Sequence, residues 1–205
     1  MTSLFKLHNP IVNSYMQKSA DNNADGVLMA SLSMRRPWIT VGTQMKEYKS
    51  HGLRAKAIWG NKRATAKWVR RNKNKLFENV TASLNFTGRR RKVQMMLAFL
   101  DVPGIGLAKA GFCCQLFAGI VGCIDTHNIR FYNVDPNLLD YDKKATLETR
   151  LKKINAYLDL CQTLRSERMW NKWCRFLFKN DPRFDSPEQV SRLHAEFLGI
   201  KVQGR

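Results

Sequence analysis

Acidic residues are scarce in this chain. Of 205 residues only 16 are Asp or Glu, against 35 Lys or Arg, which leaves a formal net charge of +19. That imbalance excludes a self-neutralising surface and points to a polyanionic partner, nucleic acid or an anionic membrane face. Long apolar runs are missing as well. The longest nearly apolar stretch, residues 110–124, is broken by Gln115 and is too short to span a bilayer. The opening MTSLFKLHNPIVNSYM has no apolar h-region, so neither export nor membrane association is expected. Cysteine is sparse and its count of 5 is odd. Cys113 and Cys114 are adjacent, while Cys123, Cys161 and Cys174 are scattered, which excludes a disulfide framework and suits free thiols in a reducing cytoplasm. No stretch alternates with period two, and no internal repeat or low-complexity tract occurs. What is present is 44% hydrophobic content, enough for a core, in a length that suits a single unit over residues 1–205, expected as a monomer.

The positive charge is concentrated. Between residues 46 and 92, fifteen Lys and Arg face only Glu47 and Glu78, a net of +13 out of the +19. Apolar Ala64, Trp68, Val69, Leu76 and Phe77 recur inside this block, the pattern of an amphipathic helix with a basic outer face. A polybasic face favours phosphate contact without reading any base.

Helical signals account for most of the remaining chain, so the fold class is all-α. The polar residues 19–25 read as a loop, followed by an apolar run over 27–32. Val93, Met96, Leu97 and Leu100 fall at i, i+3, i+4, i+7 after Gly88. Further helices are expected over 107–118, after Asp125 as N-cap, within 143–165, and around Trp170, Trp173 and Phe176. Ser186-Pro187-Glu188-Gln189 reads as a capping box that opens a last helix ending at Phe197.

The most informative segment is residues 100–130, LDVPGIGLAKAGFCCQLFAGIVGCIDTHNIR. Pro103 and the unit Gly104-Ile105-Gly106 form a tight turn between two helices, with glycines that permit positive φ or close backbone approach. The first amides of the second helix then face outward, a natural phosphate seat. Arg89, Arg90, Arg91 and Lys92 lie one helix upstream and are expected to add charge near it. Downstream comes Asp125-Thr126-His127, then Arg130. A carboxylate opening a helix is by itself a cap. A phosphate-gripping turn, one helix and then a carboxylate can together hold a DNA backbone while presenting a charge to a flipped nucleotide.

These paired motifs resemble the helix-hairpin-helix (HhH-GPD) superfamily of DNA glycosylases, the group of endonuclease III and MutY. Its members read L-P-G-[IV]-G at the hairpin and [VI]-D-T-H-x-x-R after the next helix. This chain has Val102-Pro103-Gly104-Ile105-Gly106 over a helix-hairpin-helix of about residues 89–118, then Ile124-Asp125-Thr126-His127 and Arg130. The resemblance implies a two-lobed helical fold, with the N- and C-terminal helices forming the second lobe and duplex DNA bound between them. Asp125 takes the catalytic aspartate's place. Pro103, Gly104, Ile105, Gly106, Lys109, Arg89, Arg90, Arg91 and Lys92 are the implied DNA contacts. Thr126 would support the loop, with His127 and Arg130 as structural residues and Trp170 and Trp173 as core.

Two departures refine that expectation. Lyase-competent members carry a lysine two positions after the second hairpin glycine, where this chain has Ala108 and then Lys109. One helical position is a rotation of about 100°, so Lys109 is expected to point elsewhere and lysine-dependent strand scission is not expected. Only Cys161 and Cys174 follow the catalytic segment, so no iron–sulfur cluster is expected. A monovalent cation against the hairpin carbonyls is the one ion the resemblance implies. The function expected is base excision by a DNA N-glycosylase on a flipped, modified or damaged base. The alternatives are a glycosylase-like enzyme of viral DNA hypermodification, which transfers an amine to activated 5-hydroxymethyluracil, and a non-catalytic DNA-binding protein.

Overall fold

The computed structural model describes residues 10–34 and 36–200. They form an all-α fold, with short 3-10 turns and no strand among the described residues. The helices are α1 Pro10–Lys18, α2 Ala20–Leu32, α3 Val41–His51, α4 Gly60–Ala82, α5 Gly88–Leu100, α6 Leu107–Ala118, α7 Thr126–Tyr132, α8 Leu147–Leu164, α9 Ser166–Asn180 and α10 Pro187–Phe197. Among the described residues no helix is long and apolar enough to cross a membrane.

Helix α6 is the axis of the packing. Nine of its twelve residues are buried, because apolar side chains surround it on every face and it can be stable only inside a core. It packs against α5, α1 and α2. A buried helix end leaves carbonyls without partners, and α1 supplies them. Asn13 donates to the Gln115 and Leu116 carbonyls at 3.2 and 2.6 Å, and Gln17 donates to the Phe117 carbonyl at 2.6 Å. Gly119, at φ +67, then reverses the chain out of the helix.

The N- and C-terminal helices meet. Helix α10 packs on α9, α3 and α1, and the Trp38 indole donates to the Val190 carbonyl at 3.2 Å. Both ends share one continuous apolar core with α5 and α6. Ser186 caps α10 at the Gln189 amide, 3.1 Å away, while the Gln189 side chain accepts from the Asp185 amide at 2.7 Å, one residue before the cap.

Two local expectations are corrected. Residues 19–25 are not a loop. Ser19 caps α2 through the Asn22 amide at 3.2 Å, and the polar residues that follow form the first turns of that helix. In α4 the apolar face runs through Thr65, Ala66, Val69, Leu76 and Val80, so Ala64 is exposed. The register changes at Asn72, whose φ/ψ of −118/15 breaks the helix. Its side-chain amide donates to the Trp68 carbonyl at 2.9 Å, as expected where a side chain enters the helical ladder.

His194 on α10 is buried against the edge of Trp170, with ring centroids 5.8 Å apart. Burial pushes its pKa down to about 4, while an unfolded histidine titrates near 6.5. The unfolded chain therefore binds the proton first. Stability from this group is complete above about pH 6.5 and is lost as pH falls through about 4, on the order of 3 kcal/mol in all. Urea unfolding of wild type at pH 7 and pH 4.5 should show that loss, and a His194→Gln variant should lack this share of the acid sensitivity. Equal slopes for the two proteins across that range would refute the assignment.

Candidate active site

The turn between α5 and α6 is built on α4. Gly104 sits at φ +80, and a Cβ there would meet the Thr65 hydroxyl at 2.8 Å and the Asn61 carbonyl at 2.9 Å. Both its backbone and its surroundings therefore require glycine. Thr65 donates to the Pro103 carbonyl at 2.7 Å, and the Ile105 amide closes the turn onto the Val102 carbonyl at 3.1 Å. Gly106 differs. Its φ is −100, and open space lies where a Cβ would stand, so the fold places no demand on glycine there. Gly106 is the N-cap of α6 and has no side chain to satisfy the helix's first amides. The result is an uncovered helix N-terminus of the kind that receives an anion.

Asp125 lies across from that N-terminus. It is the N-cap of α7, and its Oδ1 accepts from the His127 amide at 3.1 Å, the Asn128 amide at 3.0 Å and the Asn128 side chain at 3.1 Å. Among the described residues none of these bonds reaches Oδ2. The preceding loop is held rigidly. Tyr157, fully buried on α8, donates to the Gly122 carbonyl at 2.6 Å and accepts from the Ile124 amide at 3.1 Å. Val121, buried in the same loop, sits at φ +62, an unfavourable conformation for a β-branched residue. Such strain persists only where packing over-determines the backbone.

A cavity opens beside Asp125. Its walls are Ser33, Arg36, Pro37 and Trp38 from the α2–α3 junction, Lys109 and Phe112 from α6, Cys123, Asp125 and His127 from the loop and start of α7, and Trp170, Trp173 and Leu177 from α9. The cavity holds about 130 Å³. A groove outside it runs along Gly106, Leu107, Ala108, Ile124, Thr126 and Ile129 and shares Ser33, Arg36, Pro37, Lys109, Asp125 and His127 with the cavity. Asp125 therefore stands where an uncapped helix N-terminus and an aromatic chamber meet.

The structure redistributes the expected site residues. Pro103, Gly104, Ile105 and Gly106 form the turn as expected. Lys109 lines the same cavity as Asp125, donates to the Ser33 hydroxyl at 2.9 Å and lies 5.4 Å from the Phe112 ring. One helical position from the family's lysine, its long stem reaches the chamber from its own place on α6. Trp170 and Trp173 are core residues that also form the chamber wall, with rings stacked at 5.0 Å. His127 lines the mouth, its ring 4.8 Å from Phe176.

Arg89, Arg90, Arg91 and Lys92 lie farther from the turn than expected. They occupy the first turns of α5, whose thirteen residues put them roughly 15–20 Å from the turn at 1.5 Å per residue. Cations at a helix N-terminus oppose the macrodipole, and two of these are tied down locally. Arg89 reaches Asp159 at 2.6 Å and Asn155 at 2.7 Å, and Arg91 donates to the Phe86 and Leu84 carbonyls at 2.6 and 3.1 Å. Arg90 lies over the Phe86 ring at 4.3 Å. Arg89 fastens α5 to α8, and Arg90 and Arg91 lie against the segment before α5.

The cations near the site come from elsewhere. Lys62, buried on α4, donates to the Leu32 carbonyl at 3.0 Å, the last of α2. Burial, then the charges of Arg36 and Lys109, push its pKa down to about 8. No spacing in the sequence joins residues 36, 62 and 109. Burial pushes the thiol of Cys123, also in the cavity wall, up to about 12, which disfavours the thiolate a nucleophile needs. No group of three or more His, Cys, Asp and Glu that could hold a metal ion occurs among the described residues. Compared with family models, curated proteins and solved structures, the chain gives no match.

Proposed function

We propose that this chain is a DNA N-glycosylase that draws one nucleotide out of a duplex and releases its base. The observation that carries this reading is the position of Asp125, at the rim of an aromatic chamber and beside an uncapped helix N-terminus. A phosphate seated at the first amides of α6 fixes the strand. The exposed cations of α4, including Arg63, Lys67, Arg70 and Arg71, extend the phosphate track along the helix on which the turn rests. The base enters between the indole and phenyl walls, which replace the stacking lost on flipping.

Hydrolysis then follows from charge. As the C1′–N bond breaks, its electron pair stays on the base nitrogen and the sugar becomes oxocarbenium-like. The Asp125 carboxylate stabilises that cation and accepts a proton from the water that adds to C1′. The proton that Asp125 took from the water passes through solvent to the base anion, so the base leaves neutral, Asp125 is regenerated and the sugar keeps the hydroxyl. A cavity of about 150 Å³ accommodates one benzene ring, so about 130 Å³ suits a single-ring base.

The test is base release from duplexes that each carry one modified base, read by mass spectrometry. Uracil, 5-hydroxymethyluracil and oxidised pyrimidines form one set; 8-oxoguanine and hypoxanthine form the other. Release from the first set and not the second is expected, and silence on both defeats the reading. Borohydride in the same assay asks whether Lys109 traps the sugar covalently.

One observation favours a second reading. Arg36 and Lys109 form a small cationic cluster on the chamber wall, which suits a departing pyrophosphate. Transfer of an amine to pyrophosphorylated 5-hydroxymethyluracil in DNA would use that cluster, and the same spectra would show an amine adduct in place of free base.

A further inference from the structure

The resemblance implies a monovalent cation against the hairpin carbonyls, and the residues present do not fit one. The Val102 carbonyl, which begins the turn, accepts from the Ile105 amide at 3.1 Å and from the Lys143 ammonium at 2.5 Å. A carbonyl oxygen has two lone pairs, and both are engaged. The next carbonyl, of Pro103, is 2.7 Å from the Thr65 hydroxyl, whose one proton it shares with the Asn61 carbonyl at 2.9 Å. Lys143 reaches the turn from the loop between α7 and α8. Lys143 is exposed over most of its length while its ammonium meets the turn carbonyl, and partial burial pushes its pKa down to about 8. Asp101, whose charge acts on Lys143, is itself held by Arg150 at 3.0 Å, and Arg150 is held in turn by the Tyr141 hydroxyl at 2.7 Å. Among the described residues Lys143 is in no ion pair, and its hydrogen bond goes to the turn.

We propose that the Lys143 ammonium is the resident cation of this turn. It stands at the carbonyl where a monovalent metal ion would bind, so the turn holds its shape and its positive charge without any alkali metal. The inference rests on reading the turn as a phosphate clamp, and it adds a cation supplied by the chain 41 residues away in sequence.

The experiment compares wild type, Lys143→Ala and Lys143→Arg in potassium and in tetramethylammonium chloride at equal ionic strength. Two quantities are read: the melting temperature, and the Kd for a fluorescent 20-base-pair duplex. Wild type should give the same values in both salts. Lys143→Ala leaves room for an ion. It should melt lower and bind roughly tenfold more weakly in tetramethylammonium, then recover most of both losses in potassium. Lys143→Arg should remain indifferent to the salt. A wild-type melting temperature that rises with potassium overturns the proposal, as does a Lys143→Ala protein that loses nothing or whose losses potassium does not repair. If wild type binds no duplex in either salt, the function proposed above fails, and the melting curves alone still decide the role of Lys143.

Discussion

Asp125→Asn is expected to remove base release while leaving the fold and duplex affinity in place. Asparagine is as good an N-cap as aspartate, and its side-chain oxygen can take the bonds from the His127 and Asn128 amides that Oδ1 takes now. The substitution is nearly isosteric, so the 130 Å³ chamber keeps its shape. Only the negative charge and the proton acceptor disappear. A carboxylate that stabilises an oxocarbenium ion and receives the water's proton contributes on the order of a hundredfold to ten-thousandfold in rate. Single-turnover release from the best duplex of the panel should fall by at least about a hundredfold, with the Kd changed by less than about threefold. A variant with full activity would make Asp125 a cap and nothing more. The variant should also separate the readings by partner: a non-catalytic DNA-binding protein would show no reaction in wild type and no change in the variant.

The largest structural effect is expected at Gly111. This glycine is in the middle of α6, where alanine normally strengthens a helix. Here a Cβ would press into the Gly122 carbonyl and stand 2.7 Å from the Tyr157 hydroxyl. Neither is the loose end of a flexible chain: the carbonyl belongs to the loop that leads to Asp125, and Tyr157 is pinned by two hydrogen bonds. Gly111→Ala should cost about 3 kcal/mol, the upper range for overpacking a close-packed core. For a protein of this size that lowers Tm by roughly 6–12 °C. Tyr157→Phe should cost about 1–3 kcal/mol, because it leaves the buried Ile124 amide without its acceptor. Both changes act on one loop, so the double variant should lose less than the sum of the two. Both should slow base release more than they weaken duplex binding, since they move Asp125 and leave the phosphate track alone. Additive losses, or normal catalysis in either single variant, would show that the loop does not position the carboxylate.

The sequence by itself determined the helices wherever the signal was local. The α6 and α10 boundaries, the capping roles of Asp125 and Ser186 and the tight turn at residues 103–106 all follow from relations across three or four neighbours. Periodicity, caps and glycine conformations act at that range, so one strand of text carries them. The exceptions are local as well: residues 19–25 read as a loop because polar residues also suit a solvated first helical turn, and only packing against α1 tells the two apart.

The site was decided by tertiary structure. Arg89 and Arg91 look like free cations in a run of four, yet partners at Asp159, Asn155 and two carbonyls engage them. Lys109 is one position from the family's place, yet it reaches the chamber that holds Asp125. Trp38, Phe112 and Trp170 come from three distant segments and become one wall only when α9 packs beside α6 and the α2–α3 junction. Lys143 gives no sign in its own neighbourhood of the Val102 carbonyl it meets. Charge and side-chain reach are properties of where segments end up in space, and packing between residues a hundred positions apart sets that. The sequence therefore named the fold class, the turn and the carboxylate, and the structure chose which cations and aromatic rings stand around them.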